Sequence, residues 1–291
     1  MDAAEIVKKV RKIEIKTRGL SNQIFSGEYH SVFKGRGMSF SEVREYQYGD
    51  DIRSIDWNVT ARMNHPYIKI FEEERELTVM LLIDVSGSND FGSGSQLKTE
   101  MITEIAAVLA FSAIQNNDKV GVIFFSDKIE KFIPPKKGTT HILRIIRELV
   151  DFRRTSNKTE IAEALKYFTN VVKKKCTAFL ISDFFDHNYE DALKITNRKH
   201  DLIAIQAFDN VERELPKAGL VRMRDAETGK RMWIDTSNTA VRKHYSDYFI
   251  QFDKNLYEIF KRCGVDFATV CTNKDYVRPL MNLFKKREGR A

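Results

Sequence analysis

Two textures alternate along most of the chain. Residues 77–84 (LTVMLLID), 119–126 (KVGVIFFS), 176–183 (CTAFLISD) and 201–208 (DLIAIQAF) are short, almost unbroken apolar runs. Runs of this length predict strands covered on both faces. Between and around them, residues 98–115, 140–151, 160–173 and 188–199 carry apolar positions at helical spacing. Residues 129–133 predict a short edge strand that stops at Pro134-Pro135, because proline cannot donate to a sheet ladder. Farther along, residues 219–236 predict a hairpin turning at 227–230 (ETGK). A long helix over 238–262, a strand over 265–270 and a helix over 276–287 complete the pattern. Strands alternating with helices predict an α/β fold, a doubly wound and mostly parallel sheet.

The first quarter reads differently. Ile6, Val7, Val10 and Ile13 predict an amphipathic helix over 3–18, capped by Asp2 and stopped by Gly19. Lys8, Lys9, Arg11 and Lys12 make its polar face basic. We read that face as solvated, in preference to a membrane-surface helix. Residues 20–76 hold Gly27, Gly35, Gly37, Gly49 and many aromatics, which predicts short strands and turns with a last strand at 67–71. The expected organisation is a helix over 1–19, a β-rich segment over 20–76 and an α/β domain over 77–291.

Composition narrows the function classes. With 291 residues and 42% apolar content, the chain can bury a substantial core. The formal net charge of +7 is spread along the chain without a basic stripe or a nucleic-acid-reading motif. Nucleic acid is therefore not expected as a partner. Three cysteines with no CxxC argue against a zinc site or disulfide framework and fit a reducing cytoplasm. The N-terminus is charged throughout and has no apolar signal core. No run reaches transmembrane length. A cytoplasmic location is expected.

The chemistry concentrates where the first core strand ends, at Asp84-Val85-Ser86-Gly87-Ser88. Ligands of open parallel sheets sit beyond the carboxyl ends of the strands. Asp84, Ser86 and Ser88 can converge on one point of a tight loop. Two further candidates belong to the same edge: Thr159, just before a helix, and Asp183, at the end of another apolar run. Oxygen donors of this kind suit a hard cation, Mg²⁺ with Mn²⁺ as the alternative. Nucleotide and nucleophile motifs are missing: there is no GxxxxGK[ST], no strand-linked GxGxxG, no GxSxG and no HExxH. Gly92-Ser93-Gly94-Ser95 reads as a flexible loop beside the site.

Asp84-x-Ser86-x-Ser88, followed by Thr159 and then a strand-final Asp183, resembles the metal-ion-dependent adhesion site of von Willebrand factor A domains. Asn89 departs from the pattern, since many relatives carry Met there, and Lys158 stands where Gly is common. Upstream, Gly35-Arg36-Gly37, residues 40–46 (FSEVREY), residues 49–57 (GDDIRSIDW), Ala61-Arg62 and residues 71–75 (FEEER) are similar to the signature of domain-of-unknown-function family 58. With residues 275–280 (DYVRPL), the resemblance covers nearly the whole chain. It implies a bacterial adaptor or chaperone-like partner of a MoxR-type AAA+ ATPase, sometimes beside membrane-bound A-domain proteins. It implies no catalytic activity.

On this reading the chain is a binding module, not an enzyme, and a partner carboxylate completes the Mg²⁺ shell. Two alternatives stay open: a metal-dependent phosphoester hydrolase and a metal-free scaffold. The hydrolase would draw on Glu42, Arg44, Asp50, Asp51, Arg53, Asp56 and Arg62. We read these residues instead as ion pairs and turns, with Trp57 as a core anchor.

Overall fold

The computed structural model describes Arg11 and residues 39–72, 77–94, 96–153, 155–224 and 229–288. The helix expected over 3–18 (Arg11 apart), the segment 20–38 and residues 227–228 of the hairpin turn lie outside them. The chain divides into two compact units, Phe33–Leu77 and the remainder.

In the smaller unit, β1 (Ser39–Glu45) and β2 (Tyr67–Glu72) pair antiparallel. The strand expected at 67–71 is present. Between the two strands lies a helix that the glycine- and aromatic-rich texture did not suggest, α1 (Trp57–Met63). Asp56 starts it by accepting from the Asn58 amide at 3.0 Å, an N-cap. Asp51 caps a 3-10 turn over Ile52–Ser54 in the same way. Arg44 grips Asp50 with two hydrogen bonds of 2.7 and 2.8 Å, and Lys69 pairs with Asp56 at 3.3 Å. The acidic residues 50, 51 and 56 thus serve as caps and ion-pair partners within this unit. Trp57 is no core anchor: it stands 68% exposed in the first turn of α1.

The larger unit is built on β3 (Thr78–Asp84), α2 (Lys98–Gln115), β4 (Lys119–Phe125), β5 (Ile129–Lys136), α3 (Thr139–Val150), α4 (Ile161–Val171) and β6 (Thr177–Ser182). It continues through α5 (Glu190–Lys199), β7 (Asp201–Phe208), the one-turn α6 (Asn210–Arg213), β8 (Leu220–Arg224), β9 (Arg231–Asp235), α7 (Thr239–Cys263), β10 (Asp266–Cys271) and α8 (Val277–Glu288). Six strands form one sheet in the order β10-β7-β6-β3-β4-β5, parallel except for the β4–β5 pair. This is the doubly wound α/β fold that the pattern predicts. Every residue from Val79 to Asp84 is buried, as is every residue of β6. Both faces are covered, which explains the missing polar alternation. Met80, Leu82, Ala178, Leu180 and Leu202 pack against α4, α5 and α7. Opposite them, α2 packs on α3, and Phe284 of α8 meets Phe179 edge-on, with centroids 6.2 Å apart.

One strand differs from expectation. β5 runs through Pro134 and Pro135 to Lys136 and does not stop before them. It is the antiparallel edge strand, where a missing N–H can face outward. Gly121 on β4 admits it closely: a Cβ there would sit 2.9 Å from the Pro135 nitrogen and 2.7 Å from Met80 Sδ. The β8–β9 hairpin leaves Leu220, Met232 and Trp233 exposed. Among the described residues no helix is long and apolar enough to cross a membrane.

Candidate functional site

β3 delivers Asp84 to the carboxyl edge of the sheet, and the chain turns at once. The Ser86 amide donates to Asp84 Oδ1 at 2.9 Å, which folds the loop back on the strand. Ser86 Oγ and Ser88 Oγ come within 3.1 Å of each other. Asn89 is buried, and its side-chain amide donates to the Asp84 carbonyl at 3.0 Å. A residue outside the metal pattern therefore fixes the exit of the loop. The segment before α4 closes against it: Gly87 donates to the Asn157 carbonyl at 3.2 Å, and Glu160 to the Ser126 carbonyl at 3.0 Å. Thr159 lies between those two anchors, half-buried. Asp84, Ser86 and Ser88 are thus joined by direct contacts, with the Thr159 segment tied alongside.

From the neighbouring β6, Ser182 Oγ donates to Asp84 Oδ2 at 2.6 Å and accepts from the Phe184 amide at 3.0 Å. Asp183 is engaged elsewhere. Its Oδ2 accepts from Lys98 Nζ at 3.2 Å and its Oδ1 from the Phe185 amide at 3.2 Å. Lys98, at the start of α2, has 0% exposure and also reaches Glu212 of α6 at 2.7 Å. Sequence reasoning passed over both Ser182 and Lys98. The available signal was a lysine heading the apolar helix 98–115, directly after the candidate loop.

The electrostatics follow from this enclosure. Burial, and next the nearby Asp183 charge, push the Asp84 carboxyl up to about 7, against hydrogen bonds from Ser182 and Ser86 that favour its ionised form. Burial pulls Lys98 down, but Asp183 and Glu212 outweigh it, and the ammonium is held above its ordinary range. Burial raises Glu212 in spite of Lys98. Lys98 thus answers Asp183 and Glu212, while Asp84 takes its hydrogen bonds from the Ser182 hydroxyl and the Ser86 amide. The carboxyl and hydroxyl oxygens of Asp84, Ser86 and Ser88 are donors of the kind a divalent oxygen-seeking cation takes. No group of three or more His, Cys, Asp or Glu converges among the described residues. Any metal here would rest on the hydroxyls together with Asp84.

Ser93 and Gly94 are pinned, contrary to the flexible reading of Gly92-Ser93-Gly94-Ser95, of which Ser95 lies outside the described residues. Ser93 gives Asp209 two hydrogen bonds, 2.6 Å from Oγ and 3.0 Å from its amide. Thr272 and the Val211 amide bind the same carboxylate. A Cβ on Gly94 would meet Asn273 Nδ2 at 2.3 Å, so the glycine permits a close approach. Beside the loop opens a cavity of about 300 Å³ that shares Asp84 and Ser86 with the site.

A relative from Mycobacterium tuberculosis, an uncharacterised protein, is 25% identical over 296 residues and covers 100% of this chain and 92% of its own length. The crystal structure of an aerotolerance-related membrane protein from Bacteroides fragilis matches with a TM-score of 0.50 at 15% identity, over 74% of this chain and 100% of that one. BatB from Bacteroides thetaiotaomicron matches with a TM-score of 0.48 at 16% identity, over 74% and 100% of the two chains. The Bacteroides fragilis likeness is one of fold. The profile of the family described as Protein of unknown function DUF58 matches residues 42–251, and the chain belongs to that family.

Proposed function

We propose that the larger unit is a von Willebrand A-type, metal-dependent protein-interaction module. In this reading Asp84, Ser86, Ser88 and Thr159 hold a Mg²⁺ ion, with Mn²⁺ able to replace it. Asp183 contributes as a buried counter-charge steered by Lys98. When bound, the ion supplies an electron-poor position that accepts an acidic group of a partner. The chain's own residues do the rest. Ser182 and the Ser86 amide orient both oxygens of Asp84. Asn89 and the 157–160 segment set the loop around them. The observation that carries the reading is the buried Asp84 carboxyl at the strand end, with its loop folded back on it and two hydroxyls 3.1 Å apart beside it.

The partner we infer is a MoxR-type AAA+ ATPase, with membrane-bound A-domain proteins as further candidates, and the chain acts as an adaptor in the cytoplasm. No catalytic role is proposed. Among the described residues the buried carboxylates around the loop accept from Lys98, Ser182 and backbone amides. The test is co-purification with a MoxR-type ATPase of the same organism in Mg²⁺. Association should be lost on chelation and in Asp84→Ala. Association indifferent to both would refute the metal-dependent mechanism.

A further inference from the structure

The cavity beside the loop holds a feature the metal does not use. Ile102, Leu149 and Phe152 give it an apolar wall, formed where the start of α2 meets the end of α3. Ile102 and Leu149 are buried, and Phe152 is fixed edge-on against Phe124, with centroids 5.3 Å apart. The wall is therefore preformed. Exposed Asp90 and Arg153 bring charges of opposite sign to the same cavity. Its volume of about 300 Å³ exceeds that of an apolar cavity of about 150 Å³ that accepts benzene. A branched aliphatic or single-ring side chain fits such a space.

We propose that this cavity is a second subsite for the same partner, receiving an apolar side chain next to the acidic group that approaches Asp84 and Ser86. The partner's recognition element is then an Asp or Glu with a leucine-like neighbour, not an acidic patch alone. This inference rests on the metal-dependent reading above. The shared residues carry it: Asp84 and Ser86 belong to the loop and also line the cavity, so one short segment can reach both. Burying two or three methylene groups predicts a gain of about tenfold or more over a bare carboxylate.

Small acids test this without knowing the partner. Acetate, 4-methylpentanoate and 4-methylpentanamide are titrated into the full chain by ligand-observed NMR, in Mg²⁺ and after chelation. The expected result is Mg²⁺-dependent binding of both acids, with 4-methylpentanoate about tenfold tighter and the amide not bound through the metal. That ratio should collapse in Leu149→Phe, which narrows the cavity, provided its melting curve stays cooperative. Equal affinities of the two acids in the wild-type protein would overturn the subsite and leave the metal reading standing. An undiminished ratio in folded Leu149→Phe would place the tail elsewhere and also overturn it. Absence of any Mg²⁺-dependent acetate binding would remove the metal reading, and the subsite with it.

Discussion

Lys98 is the residue on which the candidate site's electrostatics turn. A lysine at 0% exposure is tolerated because two carboxylates meet it, at 3.2 and 2.7 Å. Removing it would strand Asp183 and Glu212. Lys98→Met is therefore expected to cost about 3 kcal/mol or more of stability in metal-free buffer, read from urea unfolding beside the wild type. A change under about 0.5 kcal/mol would mean that solvent screens these charges. A second buried group tests pH. Burial, with help from Lys199, lowers the His200 imidazole to about 4. The unfolded chain takes up that proton near pH 6.5 while the fold resists it until about pH 4, so stability is lost as pH falls through that window. The effect is on the order of 3 kcal/mol. His200→Leu should flatten the melting temperature between pH 6.5 and 4, and an unchanged acid slope would assign the loss to other groups.

At the scale of elements, Asp209 is the clamp between loops. It accepts from Ser93, Thr272 and the Val211 amide and so binds the end of β7 to the 91–97 loop and to the end of β10. Asp209→Ala should cost about 2–4 kcal/mol and speed hydrogen exchange in the amides around Ser93. Exchange unaltered there would show that packing at Gly94 suffices. These elements were legible to different degrees. Buried strands announced themselves as apolar runs, and α2 and β7 occupy the residues their patterns marked. α1 was hidden because seven residues span only two turns and none of them is buried, so no apolar stripe forms. β5 was underread because a proline pair forbids central strands but not an outer one. The loop at Gly92-Ser93 read as flexible because its anchor, Asp209, lies 116 residues away.

For the whole molecule, the same contrast separates what the motif conveyed from what the fold added. DxSxS at a strand end pointed to one edge of the sheet, and the parallel order β6-β3-β4 brings Ser182 beside Asp84 there. Lys98 and Glu212 come from elements with no motif of their own, so the charge balance was invisible in the sequence. The central proposal is that this carboxyl edge holds a divalent cation. The most direct measurement is calorimetric titration of Mg²⁺ and Mn²⁺ into chelator-stripped protein, with Asp84→Ala and Ser86→Ala in parallel. The account predicts a single saturable site in the wild type, lost in both variants. No saturable binding, or equal binding in the variants, would contradict it and leave a doubly wound scaffold that meets its partners without metal.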